Sequence, residues 1–270
     1  MKSTYPELAE AIETAVRVAT LGRNVGVAFS GGLDSGLAAG LAARYAESVT
    51  LYTCGSDGSF DVRAAEELSS KLDLPWIHVR ISEDDLEEEI LRLITATGTD
   101  DPFTISYELQ LFTVCERCRE NTVITGQGAD EYFMGCSKYV GCTDGDYDAY
   151  VKDGVRRLRE VSVPCELAIA AHFGKTLVYP YMDDTVVECV SRIDPAMLRP
   201  KDMDSRKSVL KQVAVDLGFP FLAHRTKKSS QYGSGTTDII RALAKRKGLM
   251  YNRYIQSLYD EVFSDGPEGL

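Results

Sequence analysis

Val25-Gly26-Val27-Ala28-Phe29 runs directly into Ser30-Gly31-Gly32-Leu33-Asp34-Ser35, and an Ala/Leu-rich stretch, LAAGLAARYA, follows. The apolar run reads as a buried strand and the stretch after the loop as a helix. Glycines let the connecting loop bend sharply and approach a ligand closely. Their N–H groups, with those opening the helix, form an anion-binding concavity. Ser30 and Ser35 add hydroxyl donors. Asp34 would repel a phosphate unless a divalent cation stood between them, and Mg²⁺ is the natural candidate. The Walker pattern GxxxxGK[ST] is absent, and no lysine follows the glycines. The structural alternative is a tight turn without a ligand.

Outward from this loop, strands and helices alternate. Residues 5–20 carry Leu8, Ala11, Ile12, Ala15, Val16, Val18 and Ala19 at helical spacing. VTLYTCG, WIHVRI and NTVITG read as three further strands, with RAAEELSSKLD, an acidic helix over 83–98 and SYELQLFTVCERCRE between them. Pro102 reads as a break, and Glu83-Asp84-Asp85 with Glu87-Glu88-Glu89 as a solvated helix face. The alternation predicts an α/β fold with a parallel, doubly wound sheet. Residues 1–150 then form an α/β region that carries the anion-binding loop. Residues 151–263 are mainly helical apart from the run TLVYPY, and 264–270 read as a frayed tail.

The formal net charge of −11 argues against a nucleic-acid footprint, although Arg225, Lys227 and Lys228 form a local basic cluster. No apolar run follows Lys2, so no signal peptide is read, and no stretch approaches the roughly 18 apolar residues of a membrane span. Seven cysteines, an odd number in a long chain, read as reduced thiols. The expectation is a cytoplasmic protein.

SGGLDS resembles the pyrophosphate-binding loop of the PP-loop ATP pyrophosphatase superfamily, whose fold is adenine nucleotide alpha hydrolase-like. Three further segments resemble the synthetase domain of asparagine synthetase. They are Thr125-Gly126-Gln127-Gly128-Ala129-Asp130-Glu131 with YFMGCSKY, then Val178-Tyr179-Pro180-Tyr181-Met182-Asp183, then Lys207-Ser208-Val209-Leu210-Lys211 with GFP and His224-Arg225-Thr226-Lys227. The resemblance implies ATP cleavage to AMP and pyrophosphate as a carboxylate is adenylylated, followed by transfer to an amine or ammonia. It assigns Ser30, Gly31, Gly32, Leu33, Asp34 and Ser35 to the pyrophosphate, and Phe29, Cys54, Thr125 and Gly126 to the flanks of the adenosine. Asp34 and Asp130 would carry Mg²⁺ and act in catalysis with Lys227. Gln127 and Gly128 would meet the substrate. Lys207 fits both a phosphate contact and an ordinary helix surface. Asp130 also fits a helix cap, and Lys227 a surface position.

The chain departs from that family in two ways. It reads as lacking the glutaminase half, so nitrogen would come from ammonia, a separate glutaminase subunit or a substrate amine. Gln127 stands where the asparagine-forming enzymes carry glutamate, and an amide has no acid–base function. The product is thus open among amides, lactams and amidines, and a homo-oligomer is compatible with the sequence. Two other readings compete. Cys115, Cys118, Cys136 and Cys142 have a spacing that loosely resembles a zinc site, and tRNA-modifying thiolases of the superfamily also use cysteines, with an iron–sulfur cluster; the other interpretation is buried, unlinked thiols. The third reading, disfavoured by the intact Asp34, Asp130 and Lys227, is a non-catalytic ATP-binding subunit of an amidotransferase complex.

Overall fold

The computed structural model describes residues 4–225 and 230–264. β1 (Asn24–Ala28), β2 (Ser48–Gly55), β3 (Trp76–Arg80), β4 (Thr122–Ile124) and β5 (Thr176–Val178) form one parallel sheet in the order β3-β2-β1-β4-β5. Val27 is in register with Leu51 on one side and Ile124 on the other. The chain winds from β1 outward to β3, then crosses back to β4 and β5. In such a sheet the ligand crevice opens where the winding reverses, beyond the carboxyl ends of β1 and β4. The segments leaving those ends are 29–32 and 125–128, the two glycine-bearing motifs of the sequence.

The helices are α1 (Pro6–Thr20), α2 (Leu33–Tyr45), α3 (Phe60–Leu72), α4 (Glu83–Thr97), α5 (Pro102–Arg117), α6 (Ala129–Tyr132) and α7 (Asp144–Arg157). They continue with α8 (Val163–His172), α9 (Asp184–Ser191), α10 (Pro195–Leu198), α11 (Ser208–Asp216), α12 (Ser230–Gly233), α13 (Thr236–Arg246) and α14 (Tyr251–Ser264). Side chains alternate across each strand, and the sheet therefore feeds two cores. Val25, Val27, Leu51 and Ile124 pack with α1, α2, α9 and α11. Tyr52, Cys54, Val79 and Val123 pack on the opposite face with α4, α5, α8, α13 and α14. No helix among the described residues is long and apolar enough to cross a membrane.

Four local readings change. Pro102 opens α5 rather than breaking the chain, because its missing N–H costs nothing in the first turn. Asp101 caps that turn by accepting from the Thr104 N–H at 3.0 Å. The acidic run of α4 is only half solvated: Asp84, Asp85 and Glu88 are exposed, and the other three are covered. Glu87 pairs with Lys247 at 2.7 Å and accepts from the Tyr254 hydroxyl at 2.6 Å, Glu83 pairs with Arg246, and Glu89 is buried. The covering helices lie about 160 residues away in the chain, outside any local window. The helix pair expected around residues 147–173 runs through Pro164 without a break, by way of a wide π turn at Leu158–Ser162. A wide turn relieves the clash and the lost donor that proline brings to a regular helix. Finally, the C-terminal helical stretch divides at Gly248, which adopts φ +69°. The tail expected to fray lies, from residue 265, outside the described residues.

Leu37 on α2 is fully buried between sheet and α-helices, whereas Val18 on α1 is 70 % exposed. Leu37→Ala should cost about 2–5 kcal/mol in urea unfolding. Val18→Ala should change stability by less than about 0.5 kcal/mol. Equal effects at the two positions would contradict the two-core packing.

Candidate active site

The loop after β1 is held rigidly. Gly31 adopts φ +68°, and a Cβ there would lie 2.4 Å from the backbone of Ala64 and Ala65 in α3. Only glycine permits that approach. Arg225 locks the same contact: its Nε donates to the Gly31 carbonyl at 2.7 Å and its Nη2 to the Ala64 carbonyl at 2.8 Å. Ser35 Oγ accepts from the Ser30 N–H at 3.2 Å and lies 3.3 Å from Ser30 Oγ. Gly32 caps α2 without a side chain, so the opening N–H groups of a 13-residue helix face the crevice.

Three charged side chains meet beside this loop. Lys207 Nζ lies 2.6 Å from Asp34 Oδ2 and 2.6 Å from Asp130 Oδ1. The Lys207 and Asp34 side chains are 8 % and 5 % exposed, and Asp130 is 33 % exposed. Lys207 is therefore not on a helix surface. It sits at φ +57° just before α11, a conformation uncommon for a side chain-bearing residue. Asp130 lies inside α6, whose cap position is Gly128, so its carboxylate is spent on Lys207 rather than on capping. Two glycines make room. A Cβ on Gly126 would lie 3.0 Å from Asp34 Cβ, and one on Gly135 would lie 1.9 Å from Asp130 Oδ1 and 2.1 Å from Lys207 Cε. Tyr181, from the third motif, donates its hydroxyl to the Asp34 carbonyl at 2.7 Å.

Two cavities open on either side of Asp34 and Asp130, which line both. The larger, about 620 Å³, is lined by Leu33 and by the cations Lys138, Arg206, Lys207, Lys211 and Arg225. The smaller, about 120 Å³, is lined by Phe29, Ser30, Ser35, Cys54, Thr125, Gly126 and Gln127. The structure thus gathers most of the residues expected from the sequence. Gly128, at φ +86°, instead packs against Met182 and lines neither cavity. Lys227 lies outside the described residues.

The smaller cavity also contains groups that the sequence motifs did not single out: Tyr107, Glu108, Gln110 and Glu166. Tyr107 donates its hydroxyl to Gln127 Oε1 at 2.9 Å. Burial, and then the neighbouring Glu166 carboxylate, hold the Glu108 carboxyl well above the usual range. Burial likewise raises Glu166, with the Tyr179 hydroxyl and the Gln127 amide pulling the other way.

All seven cysteines are free thiols. Cys115 and Cys118 belong to the core on one face of the sheet, while Cys136 and Cys142 pack on the other. Among the described residues no three His, Cys, Asp or Glu side chains converge as a metal site. Burial pushes the Cys54, Cys115, Cys118 and Cys136 thiols up to about 12.

The family model for asparagine synthase matches residues 7–151, and the chain belongs to that family. A putative glutamine-hydrolysing asparagine synthetase of Methanocaldococcus jannaschii is 27 % identical, over 97 % of this chain and 57 % of its own length. The carboxyethyl-arginine beta-lactam-synthase of Streptomyces clavuligerus is also 27 % identical, over 84 % of this chain and 44 % of its own. The chain spans about half the length of the curated relatives it matches. Among solved structures, the NMN synthetase of Francisella tularensis aligns over 100 % of this chain and 98 % of its own, at 12 % identity and a TM-score of 0.42.

Gly135→Ala should push Asp130 and Lys207 apart and weaken binding of a fluorescent ATP analogue by about tenfold or more, a loss of about 1.4 kcal/mol. Gly145→Ala is the control, since a Cβ there meets nothing within 4 Å. Unchanged affinity in Gly135→Ala would separate the triad from nucleotide binding.

Proposed function

We propose that this chain is an ATP-dependent amide ligase that forms AMP and pyrophosphate. It adenylylates a small-molecule carboxylate and transfers the acyl group to an amine or ammonia. The observation that carries the reading is the meeting of Asp34, Asp130 and Lys207 at the sheet's switch point, between a cationic cavity and a smaller acidic one. The cationic cavity suits a triphosphate in a chain whose overall charge is negative.

Each part of the chain has a task in this reading. The N–H groups opening α2, with the hydroxyls of Ser30 and Ser35, orient the β- and γ-phosphates. Phe29, Cys54, Thr125 and Gly126 flank the adenosine. Asp34 and Asp130 are hard oxygen donors beside a phosphate-binding mouth, the usual protein share of a Mg²⁺ site completed by phosphate and water. When bound, Mg²⁺ would supply neutralisation of the phosphate charge. Lys207 places a positive charge next to the bond that breaks, and Lys227 is proposed for the same task. A carboxylate oxygen attacks the α-phosphorus as the α–β bond breaks and pyrophosphate leaves. The amine nitrogen then attacks the acyl carbon, loses a proton and displaces AMP. Gln127 holds position by hydrogen bonding to Tyr107 and supplies no base.

Incubation with ATP, Mg²⁺ and candidate carboxylates, with ammonia, amino acids or polyamines as nucleophiles, should release AMP and pyrophosphate. Asp34→Asn should lower that release by about 10²–10³-fold, with an unfolding midpoint near that of the parent. Release of ADP and phosphate, or full turnover in Asp34→Asn, would sink the proposal.

A further inference from the structure

We infer that Arg225 is a positioning residue for the phosphate-binding loop: its guanidinium selects the orientation of the Gly31–Gly32 peptide that turns the Gly32 N–H toward the phosphates. The inference rests on the reading of Ser30–Ser35 as a pyrophosphate loop and adds the residue that sets the loop's geometry.

The loop cannot set that geometry by itself. Glycine tolerates both halves of φ space, so a peptide between two glycines can turn over with little strain. Gly31 lies at φ +68°, and Gly32 at φ −88° and ψ −179°. In one orientation this peptide offers its N–H to the crevice. In the other it offers its carbonyl oxygen, which repels a phosphate. The Gly31–Gly32 bond is trans. In a planar trans peptide the C=O and N–H point opposite ways. Whatever holds the Gly31 carbonyl therefore aims the Gly32 N–H.

Arg225 holds it. Nε donates to the Gly31 carbonyl at 2.7 Å, Nη2 donates to the Ala64 carbonyl of α3 at 2.8 Å, and Nη1 lies 3.3 Å from Glu67 Oε1. Helix α3 joins β2 to β3, whereas the crevice lies beyond β1 and β4. A carbonyl drawn to the α3 side leaves the Gly32 N–H facing away from α3, toward the crevice. The same carbonyl would accept the Ser35 N–H if α2 began one residue earlier. With Arg225 on it, α2 begins at Leu33, and the N–H groups of Gly32, Leu33 and Ser35 have no acceptor among the described residues. A guanidinium suits this task because its donors form a rigid planar fork, whereas a lysine ammonium is a point charge. The Arg225 side chain is 10 % exposed and that of Glu67 58 %. The ion pair is thus loose, and the two carbonyls are the firm contacts.

Titration calorimetry of the parent, Arg225→Lys and Arg225→Ala with Mg²⁺-pyrophosphate and with AMP tests the role. Both substitutions should weaken pyrophosphate binding by about 30-fold, while AMP affinity stays within about twofold. Propylguanidinium should restore most of the lost pyrophosphate affinity in Arg225→Ala, and propylammonium should not. Parent-like pyrophosphate affinity in Arg225→Lys, or equal rescue by the two cations, would show that charge alone matters and would overturn the role. Equal losses for AMP and pyrophosphate would assign Arg225 to general packing and overturn it as well. A parent that binds neither ATP nor pyrophosphate would remove the phosphate-loop reading and the inference together, an outcome distinct from a parent that binds both and is matched by Arg225→Lys.

Discussion

The Lys207 ammonium sits between two carboxylates that reach it from helices following different strands of the sheet. Asp34 lies 173 residues away in the chain and opens α2, after β1; Asp130 belongs to α6, after β4. Without a cation, two carboxylates in so enclosed a place would repel each other and lose their hydration. With it, the two glycine-bearing loops are drawn to one point. That demand explains the close packing around the triad. Gly126 lets the loops touch, Gly135 leaves space for the pair, and Tyr181 pins the Asp34 backbone. It also explains why Lys207 sits at positive φ: the geometry that ends in the ion pair outweighs the backbone preference, at a cost of about 1–3 kcal/mol.

The triad separates two environments of opposite character. On one side lie five cationic side chains in an open cavity. On the other, a smaller cavity presents buried acceptors and no cation among the described residues. In the proposed reaction the polyphosphate runs from the Ser30–Ser35 loop into the first, the adenosine lies along the Phe29 and Cys54 wall of the second, and the atoms that react meet at the boundary. Gln127 stands on that boundary as a neutral hydrogen-bonding group.

Much of this was legible in the sequence because it is local. The run from Val25 to Ser35 carries strand, loop and helix signals within eleven residues, and TGQGAD follows its strand in the same way. Alternation of strands and helices then implied the parallel, doubly wound sheet. The role of Lys207 was not legible. A lysine at a helix start looks the same whether it meets solvent or two aspartates, and burial here is decided by residues 34, 130 and 135. Glu108 and Glu166 did leave a signal. Glu108 falls at helical spacing from Ile105 and Phe112, and Glu166 from Ile169 and Ala170, all of them buried. A carboxylate in register with an apolar face marks a site or a paired charge. The cover over α4 had no such local trace, since its partners lie at the far end of the chain.

In the proposed adenylylation a carboxylate oxygen becomes bonded to the α-phosphorus of ATP. Oxygen-18 in the carboxylate of whichever acceptor supports pyrophosphate release follows that bond directly. One labelled oxygen should appear in the AMP, and none in the pyrophosphate. Label in inorganic phosphate, or AMP that carries none, would contradict adenylylation at this site.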